Sequence, residues 1–375
     1  MTKKKALIAF LGNINYDTRC FNLFNSLKKA GYEVEFIGFD WLTKNFTSQK
    51  GEKTIYKLVK KSPSLTFYFK FYSILKLNLL IKKYDLLFAE DLYTLPACII
   101  IGKLKRAKII YDSRELFGFL AGLKDRPFIQ FLWQIVEKIF IKKSDLVLVT
   151  GLLDELFLQK KYNISNTIVI RNLPLFNKSF KKIDLYDKYK IDESKKILVY
   201  QGVVVKGRGI RIIFDLLKQT DEYILLILGD GEDLTYFKEL AISMSINHKV
   251  IFVGKIPQEE LLNYTSGSFV GLSLIENLSL SYYYALPNKL FEYIMAEIPV
   301  IVTNLPQMKS VIDEFQVGYV VEESDIESLK AILQELSSDK NHYEQLKLNC
   351  RKASEILCWE KEFTLLNKKL QDFLS

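Results

Sequence analysis

The feature that most constrains the fold is an alternation that runs along the chain: short, nearly continuous apolar runs, each followed by a stretch with helical periodicity. Lys5–Leu11 reads as a strand and Gly12–Asp17 as a glycine-bearing loop. Thr18–Ala30 follows as an amphipathic helix, with Phe21, Leu23, Phe24 and Leu27 on one face and Gly31 as its C-cap. Val34–Phe39 is the next strand. A β-α-β order of this kind implies a parallel sheet covered by helices on both faces, and strands buried on both faces are expected to be apolar throughout. Leu86–Ala89, Lys108–Tyr111, Leu146–Thr150 and Thr167–Arg171 continue the series. The polar stretch Asn177–Lys196 reads as a linker. A second series follows with Ile197–Gln201, Ile224–Leu228, Val250–Val253, Val270–Leu274, Val300–Val302 and Gly318–Val321. The Leu329–Leu336 helix and the Tyr343–Leu374 tail complete the chain.

The expectation is an α/β protein of two tandem, doubly wound, Rossmann-like domains with a cleft between them, residues 1–172 and 173–354. A chain of 375 residues with 49% hydrophobic content is long enough for two packed cores. Cys20, Cys98, Cys350 and Cys358 lack paired spacing, which argues against zinc and against a disulfide framework and fits a reduced cytoplasmic setting. The basic N-terminus precedes an apolar run, but Ala6–Leu11 is too short for a signal-peptide core and reads better as the first buried strand. No stretch approaches a membrane-spanning helix. The formal net charge of +9 favours anionic partners, although the basic residues are spread widely and resemble no nucleic-acid module.

Several loops fall after strands, where ligands gather in open α/β sheets. Leu286–Ile301, LPNKLFEYIMAEIPVI, reads as a loop, a short helix and a buried strand. Pro287 suits a first turn, Asn288 is a candidate N-cap, and Leu290, Phe291, Ile294 and Met295 make an apolar face. A helix N-terminus favours a phosphate; Lys289 adds a charge there, and Glu292, one turn in, could accept from two ribose hydroxyls. The local pattern fits equally a helix whose Lys289 and Glu292 are merely solvated. Tyr200–Gly209, YQGVVVKGRG, brings Lys206 and Arg208 to a loop in which Gly202, Gly207 and Gly209 leave room for a ligand, and such cations would neutralise a diphosphate leaving group. A flexible basic loop is the plainer alternative. Leu228–Glu232 holds Gly229 and Gly231 in a turn, and Gly12–Arg19 offers Gly12, a cap from Asp17 or Thr18, and Arg19 for a phosphate or carboxylate. The last loop lacks the third glycine of a dinucleotide fingerprint, which argues against an NAD enzyme. His248 and His342 are the only histidines and stand in a polar turn and a late helix, so a histidine base, triad or zinc site is not expected. Lys61–Lys83 mixes aromatics, aliphatics and lysines. It suits either an interfacial helix on an anionic membrane or a sheet-packed helix with lysines reaching outward.

LPNKLFEYIMAEIPVI resembles the nucleotide-sugar signature of the family 4 type of retaining, GT-B fold glycosyltransferases (glycosyl transferases group 1), and the resemblance covers nearly the whole chain. It implies that Glu292 holds the donor ribose, that Lys289 and Arg208 bind the diphosphate, with Lys206 as an alternative to Arg208, and that Asn288, Leu290, Tyr284, Gly12, Arg19, Gly202, Gly229 and Gly231 also line the donor. Lys255 and Ile256 of VGKIP would hold the base through backbone groups. AEDLYTLP and YDSRELFG resemble the segments "HDLxTLP" and "YDSHELF", with Glu90 and Arg114 in place of histidines. Asp112 and Arg114 would then work near the reacting centre, and Asp17, Glu90, Asp91 and Glu115 would meet the acceptor; a salt-bridged loop fits Asp112, Arg114 and Glu115 equally. Tyr284, Val203 and Glu297 depart from a family Glu, Arg and Gly. The implied activity is transfer of a sugar from a nucleotide diphosphate donor, a UDP-sugar being expected, to a glycan or lipid-linked glycan in surface polysaccharide or glycoconjugate synthesis. No cofactor or metal is required, because cations and helix N-termini replace it. The tail, from about residue 355 to 375, would pack back on the first domain. A nucleotide-sugar 2-epimerase and a catalytically silent nucleotide-sugar-binding scaffold share the same architecture.

Overall fold

The computed structural model describes residues 3–374 apart from 42, 44, 45, 60–63 and 124; the Lys61 end of the basic aromatic stretch therefore lies outside the described residues. The chain divides into two compact units, residues 1–172 with 359–375, and residues 173–358.

Unit 1 holds a parallel sheet of seven strands: β1 (Lys5–Phe10), β2 (Glu33–Asp40), β3 (Lys53–Lys57), β4 (Leu86–Ala89), β5 (Lys108–Ser113), β6 (Leu146–Val149) and β7 (Thr167–Val169), in the order β3-β2-β1-β4-β5-β6-β7. β1, β4 and β6 are almost wholly buried, as strands covered on both faces must be. Helix Thr18–Lys29 lays Leu23, Phe24 and Leu27 on the sheet, and Asp17 caps it by accepting from Cys20 N at 2.8 Å. The terminal helix Trp359–Leu374 closes the same core with Trp359, Leu366 and Leu370, and Trp359 Nε1 donates to Ser26 Oγ at 2.8 Å.

Unit 2 holds a parallel sheet of six strands: β8 (Lys196–Gln201), β9 (Tyr223–Leu228), β10 (Val250–Gly254), β11 (Val270–Ser273), β12 (Val300–Thr303) and β13 (Gly318–Val321), in the order β10-β9-β8-β11-β12-β13. Its strand order reverses between β8 and β11, the crevice where open sheets of this topology bind ligands. The stretch expected to be a linker belongs to this unit. Leu185 is buried, Ile183, Tyr186, Tyr189 and Ile191 pack on the core, and Ile183 N donates to Asn263 O at 3.0 Å. Five apolar residues spaced among charges fasten it, so its polarity is that of one outer face.

Candidate functional site

In unit 2 the loops after β8 and β11 bring together Gly202, Arg208, Lys289 and Glu292 of the residues expected to meet a donor. Helix Asn288–Met295 packs Leu290, Phe291 and Ile294 into the core beneath the sheet. Leu290 is fully buried, so its side chain lines the core rather than a ligand. Asn288 is the first helical residue and Pro287 the cap, with no side chain capping the helix; the expected Asn288 N-cap is thereby corrected. The first-turn N–H groups keep their capacity to bind an anion.

Lys289, in that first turn, is only 7% exposed, and its Nζ finds no hydrogen-bond partner. It lies 3.7 Å from the centroid of the Tyr200 ring, a cation–π contact at the end of β8. Burial pushes its pKa well below that of an ordinary lysine; Arg208 nearby adds to the shift, and Glu292 opposes it. The Arg208 guanidinium lies 4.7 Å from the Tyr282 ring centroid, and its buried Nε is also without a partner. Gly202 follows β8 with φ +120°, a backbone conformation that side chains rarely adopt. A Cβ added there would meet Lys289 Cε at 3.7 Å, so this backbone turn runs directly beside the ammonium.

Glu292 is nearly buried and held from two sides. Gln201 Nε2 donates to one carboxylate oxygen and Gln258 Nε2 to the other, at 3.1 Å, while Thr265 Oγ1 donates to Gln201 Oε1 at 2.7 Å. Burial raises the pKa of Glu292 against the pull of the two amides and Lys289. Sequence reasoning missed Gln201, Gln258, Tyr200 and Tyr282. A buried polar residue at the last position of an apolar strand, as Gln201 is, was the available signal.

Other expected donor residues stand elsewhere in the loops. Lys206 places its Nζ over the Tyr236 ring at 4.2 Å, so Arg208 rather than Lys206 joins Lys289. A Cβ at Gly229 would come 1.8 Å from Gly202 O and one at Gly231 2.3 Å from Val204 O; both glycines let adjacent loop backbones meet. Ile256 packs on the core, Lys255 is exposed, and Tyr284 follows the short helix Leu280–Tyr283 with its carbonyl accepting from Gln307. Glu297, at the position where a glycine was expected, keeps a left-handed backbone with φ 59° and pairs with Arg351 at 2.7 Å.

In unit 1 the loops after β1, β4 and β5 gather a buried ionic cluster. Arg19 is 2% exposed and spends its donors inside the protein: Nε and Nη2 on Asp112, the latter at 3.0 Å, and Nη1 on Ile170 O at 2.8 Å. Arg19, expected to bind the donor, and Asp112, expected at the reacting centre, are each other's partners and tie the first helix to β5 and the end of β7. Arg114 bridges Asp17 at 2.6 Å and Glu90 at 2.7 Å, and its Nη2 also reaches Cys20 Sγ at 3.3 Å. Asp17, expected at the acceptor, thus serves as a helix cap and an ion-pair partner. Asp91 accepts from Leu11 N and Thr94 N, both at 2.7 Å, and fixes a turn. Gly12 accepts from Phe39 N through its carbonyl, and Glu115 is exposed.

Two guanidiniums face three carboxyls in this cluster. Arg114 holds the Asp17 carboxyl below its usual range despite the opposing effect of burial. Burial, with Asp112 adding, pushes Glu90 up to about 8. Glu90 Oε1 and Arg114 Nε are buried with no partner. His342 Nε2 lies 2.7 Å from Tyr319 OH. Among the described residues no three His, Cys, Asp or Glu side chains gather as metal ligands.

Comparison with known proteins places unit 2. Residues 181–353 match the family model of glycosyl transferases group 1. A curated relative, alpha-monoglucosyldiacylglycerol synthase of Streptococcus pneumoniae, is 28% identical over 141 residues; the match covers 36% of this chain and 30% of that protein's length. Sucrose-phosphate synthase from Thermosynechococcus elongatus has a similar structure, with a TM-score of 0.79 and 18% identity over 100% of this chain and 99% of that one. Anabaena HepE in complex with UDP-glucose has a TM-score of 0.74 and 12% identity over 98% of this chain and 99% of that one. The two parallel sheets thus form the GT-B fold of these glycosyltransferases.

Proposed function

We propose that the chain is a retaining glycosyltransferase, of the family 4 type, that takes a sugar from a UDP-sugar and transfers it to a glycan or lipid-linked glycan in the synthesis of surface polysaccharide or glycoconjugate. The observation that carries this reading is the pair of cations in the group 1 domain, Lys289 and Arg208, each buried at a nitrogen with an unspent donor beside an uncapped helix N-terminus. A diphosphate supplies what these groups need: charge for the cations and oxygens for the helix N–H groups. Glu292, already oriented by Gln201 and Gln258, keeps lone pairs for ribose hydroxyls. HepE binding UDP-glucose and the synthase of a glucosylated lipid support the choice of donor and the class of acceptor.

In the proposed reaction the bond between the anomeric carbon and the diphosphate oxygen breaks as the acceptor oxygen bonds to the same face of that carbon. The acceptor proton passes to the departing phosphate oxygen. Lys289 and Arg208 stabilise the negative charge that develops on the leaving group, so the scheme requires no metal or other cofactor. Arg19 and Asp112 serve unit 1 as a structural pair, and Glu90 with Arg114 is the part of that unit left to orient substrate. We assign the reaction to the cytoplasm, where thiols such as those of Cys20, Cys98 and Cys350 would stay reduced.

The test is incubation of the purified protein with a panel of nucleotide sugars, with and without acceptor extracts, following release of the nucleoside diphosphate. Acceptor-dependent release of UDP that Lys289→Met abolishes is expected. Formation of a new sugar epimer, or binding of nucleotide sugars with no turnover on any acceptor, would overturn the assignment.

A further inference from the structure

A helix of a water-soluble domain ordinarily turns its apolar stripe towards the core. Helix Pro127–Ile141 of unit 1 does the reverse over most of its length. Phe128, Phe131, Leu132, Ile135 and Ile139, spaced as one helical stripe, are all exposed, Phe128 by 71% and Phe131 by 58%. Helix Leu95–Leu104 packs against it and exposes Ile100 and Leu104. Helix Ser64–Ile81 packs against Leu95–Leu104 as well and exposes Phe69, Leu77 and Ile81. Three adjacent helices thus present large apolar side chains to solvent, where a single scattered one would need no explanation.

The charges on these helices are one-sided. Their only acidic residue is Glu137, which is buried and accepts from Tyr111 and Tyr162, each at 2.8 Å. Every exposed charge on them is a lysine: Lys70, Lys76, Lys103 and Lys138. Lys142 and Lys143 continue the positive charge just past one helix end, whereas Lys103 pairs with Asp145 at 2.9 Å and Lys82 with Glu35 at 2.6 Å, which leaves Lys70, Lys76 and Lys138 as the lysines that carry the face. Half-buried aromatics complete the face: Trp133 lies 5.8 Å from Tyr68 and 4.8 Å from Tyr93, ring centroid to centroid. Rings of this amphipathic kind favour the boundary between water and lipid. Tyr93 stands in the loop after β4, immediately beyond Glu90 and Asp91, so the apolar face reaches the edge of the sheet that carries the ionic cluster.

We infer that this three-helix face of unit 1 seats the protein on the surface of an anionic lipid bilayer, with Phe128, Phe131, Leu132 and Ile135 in the acyl boundary and the lysines against the headgroups. Aliphatic burial supplies affinity, and the lysines make it selective for negative lipid. Among the described residues no helix is long and apolar enough to cross a membrane, so the contact is parallel to the surface. The inference goes beyond the transferase reading and needs no substrate; its failure would leave nucleotide binding by unit 2 untouched.

The test is co-sedimentation of the full chain with vesicles of phosphatidylcholine alone and of phosphatidylcholine mixed with phosphatidylglycerol. Binding to the mixed vesicles is expected, weakening with salt. Phe128→Ser/Leu132→Ser/Ile135→Ser is expected to lower partitioning by more than about tenfold, because three apolar side chains leave the boundary. Lys76→Gln/Lys138→Gln is expected to cost about fivefold per lysine on anionic vesicles only. All these positions are exposed, so unchanged circular dichroism and unchanged UDP affinity are expected and show that the fold survives. A wild-type chain that stays in the supernatant with both vesicle types, or a triple variant that sediments as the wild type does, would overturn the proposal. So would a dimer in sedimentation velocity that the triple variant dissolves without any vesicle binding, since the face would then seat a second copy.

Discussion

Lys289→Met should move stability and affinity in opposite directions. In the ligand-free protein the Lys289 Nζ is buried with no hydrogen-bond partner, near Arg208. A buried donor left unsatisfied costs about 1–3 kcal/mol, and methionine keeps most of the apolar stem while removing that donor. The ligand-free variant should therefore melt a few degrees higher, because about 1 kcal/mol moves the midpoint of a domain of this size by about 2–4 °C. In the bound state the same change deletes a charge-assisted contact to a phosphate oxygen, worth about 1.5–3 kcal/mol, or about 10–150-fold in Kd. Differential scanning calorimetry and isothermal titration with UDP read the two effects separately. The pH dependence supplies a further sign. The pKa of Lys289 is held down in the fold, so between that lowered value and about 10.4 the unfolded chain binds the extra proton and stability rises with pH. The variant should lose that rise. An anion bound at Lys289 restores its proton, so titrations in buffers of different ionisation enthalpy should report proton uptake in the upper part of the window. An unchanged UDP affinity, or a lower melting temperature in the variant, would refute the reasoning.

Three other outcomes follow from the structure. Glu90 is raised to about 8, so the stability it lends is fully present below its unfolded value of about 4.3 and is lost as pH rises through about 8; Glu90→Gln should flatten that decline in urea titrations across the pH series, and parallel curves would contradict it. Arg19→Met leaves Asp112 as a buried charge without its partner and should cost about 3–5 kcal/mol in denaturant unfolding. Glu297→Gly relieves a left-handed backbone worth about 1–2 kcal/mol, against glycine's entropy of about 0.5–1 kcal/mol and an exposed ion pair of about 0–1 kcal/mol, so a near-neutral change is expected from it, while Glu297→Ala should destabilise.

Much of the fold was legible because burial on both faces of a parallel sheet writes itself into the chain as apolar runs, and twelve of the thirteen strands among the described residues fall where such runs were read. The exception is β3, KTIYK, whose single fully buried residue Ile55 gives a pattern too short to stand out. Asn177–Lys196 misled because charges on its outer face outnumber the apolar residues that anchor it. The site was legible in part. Lys289 and Glu292 share one helix, and the loop chemistry after β8 offered Lys206 and Arg208 alike, with the family resemblance favouring Arg208. What no local pattern contains is pairing across the sheet: Arg19 and Asp112 each look like an unspent loop charge until the fold brings them together. The same holds for Glu292, where Gln201 and Gln258 come from other elements to orient it.

The most direct test of a diphosphate held by Lys289, Arg208 and the uncapped helix is the affinity series from nucleoside diphosphate to monophosphate to nucleoside, measured on the full chain by isothermal titration. With UDP, UMP and uridine, the affinity should fall by about tenfold or more when the β-phosphate is removed, and again when the last phosphate goes. Equal affinity for UDP and uridine would mean that the cations at the head of that helix do not hold phosphate.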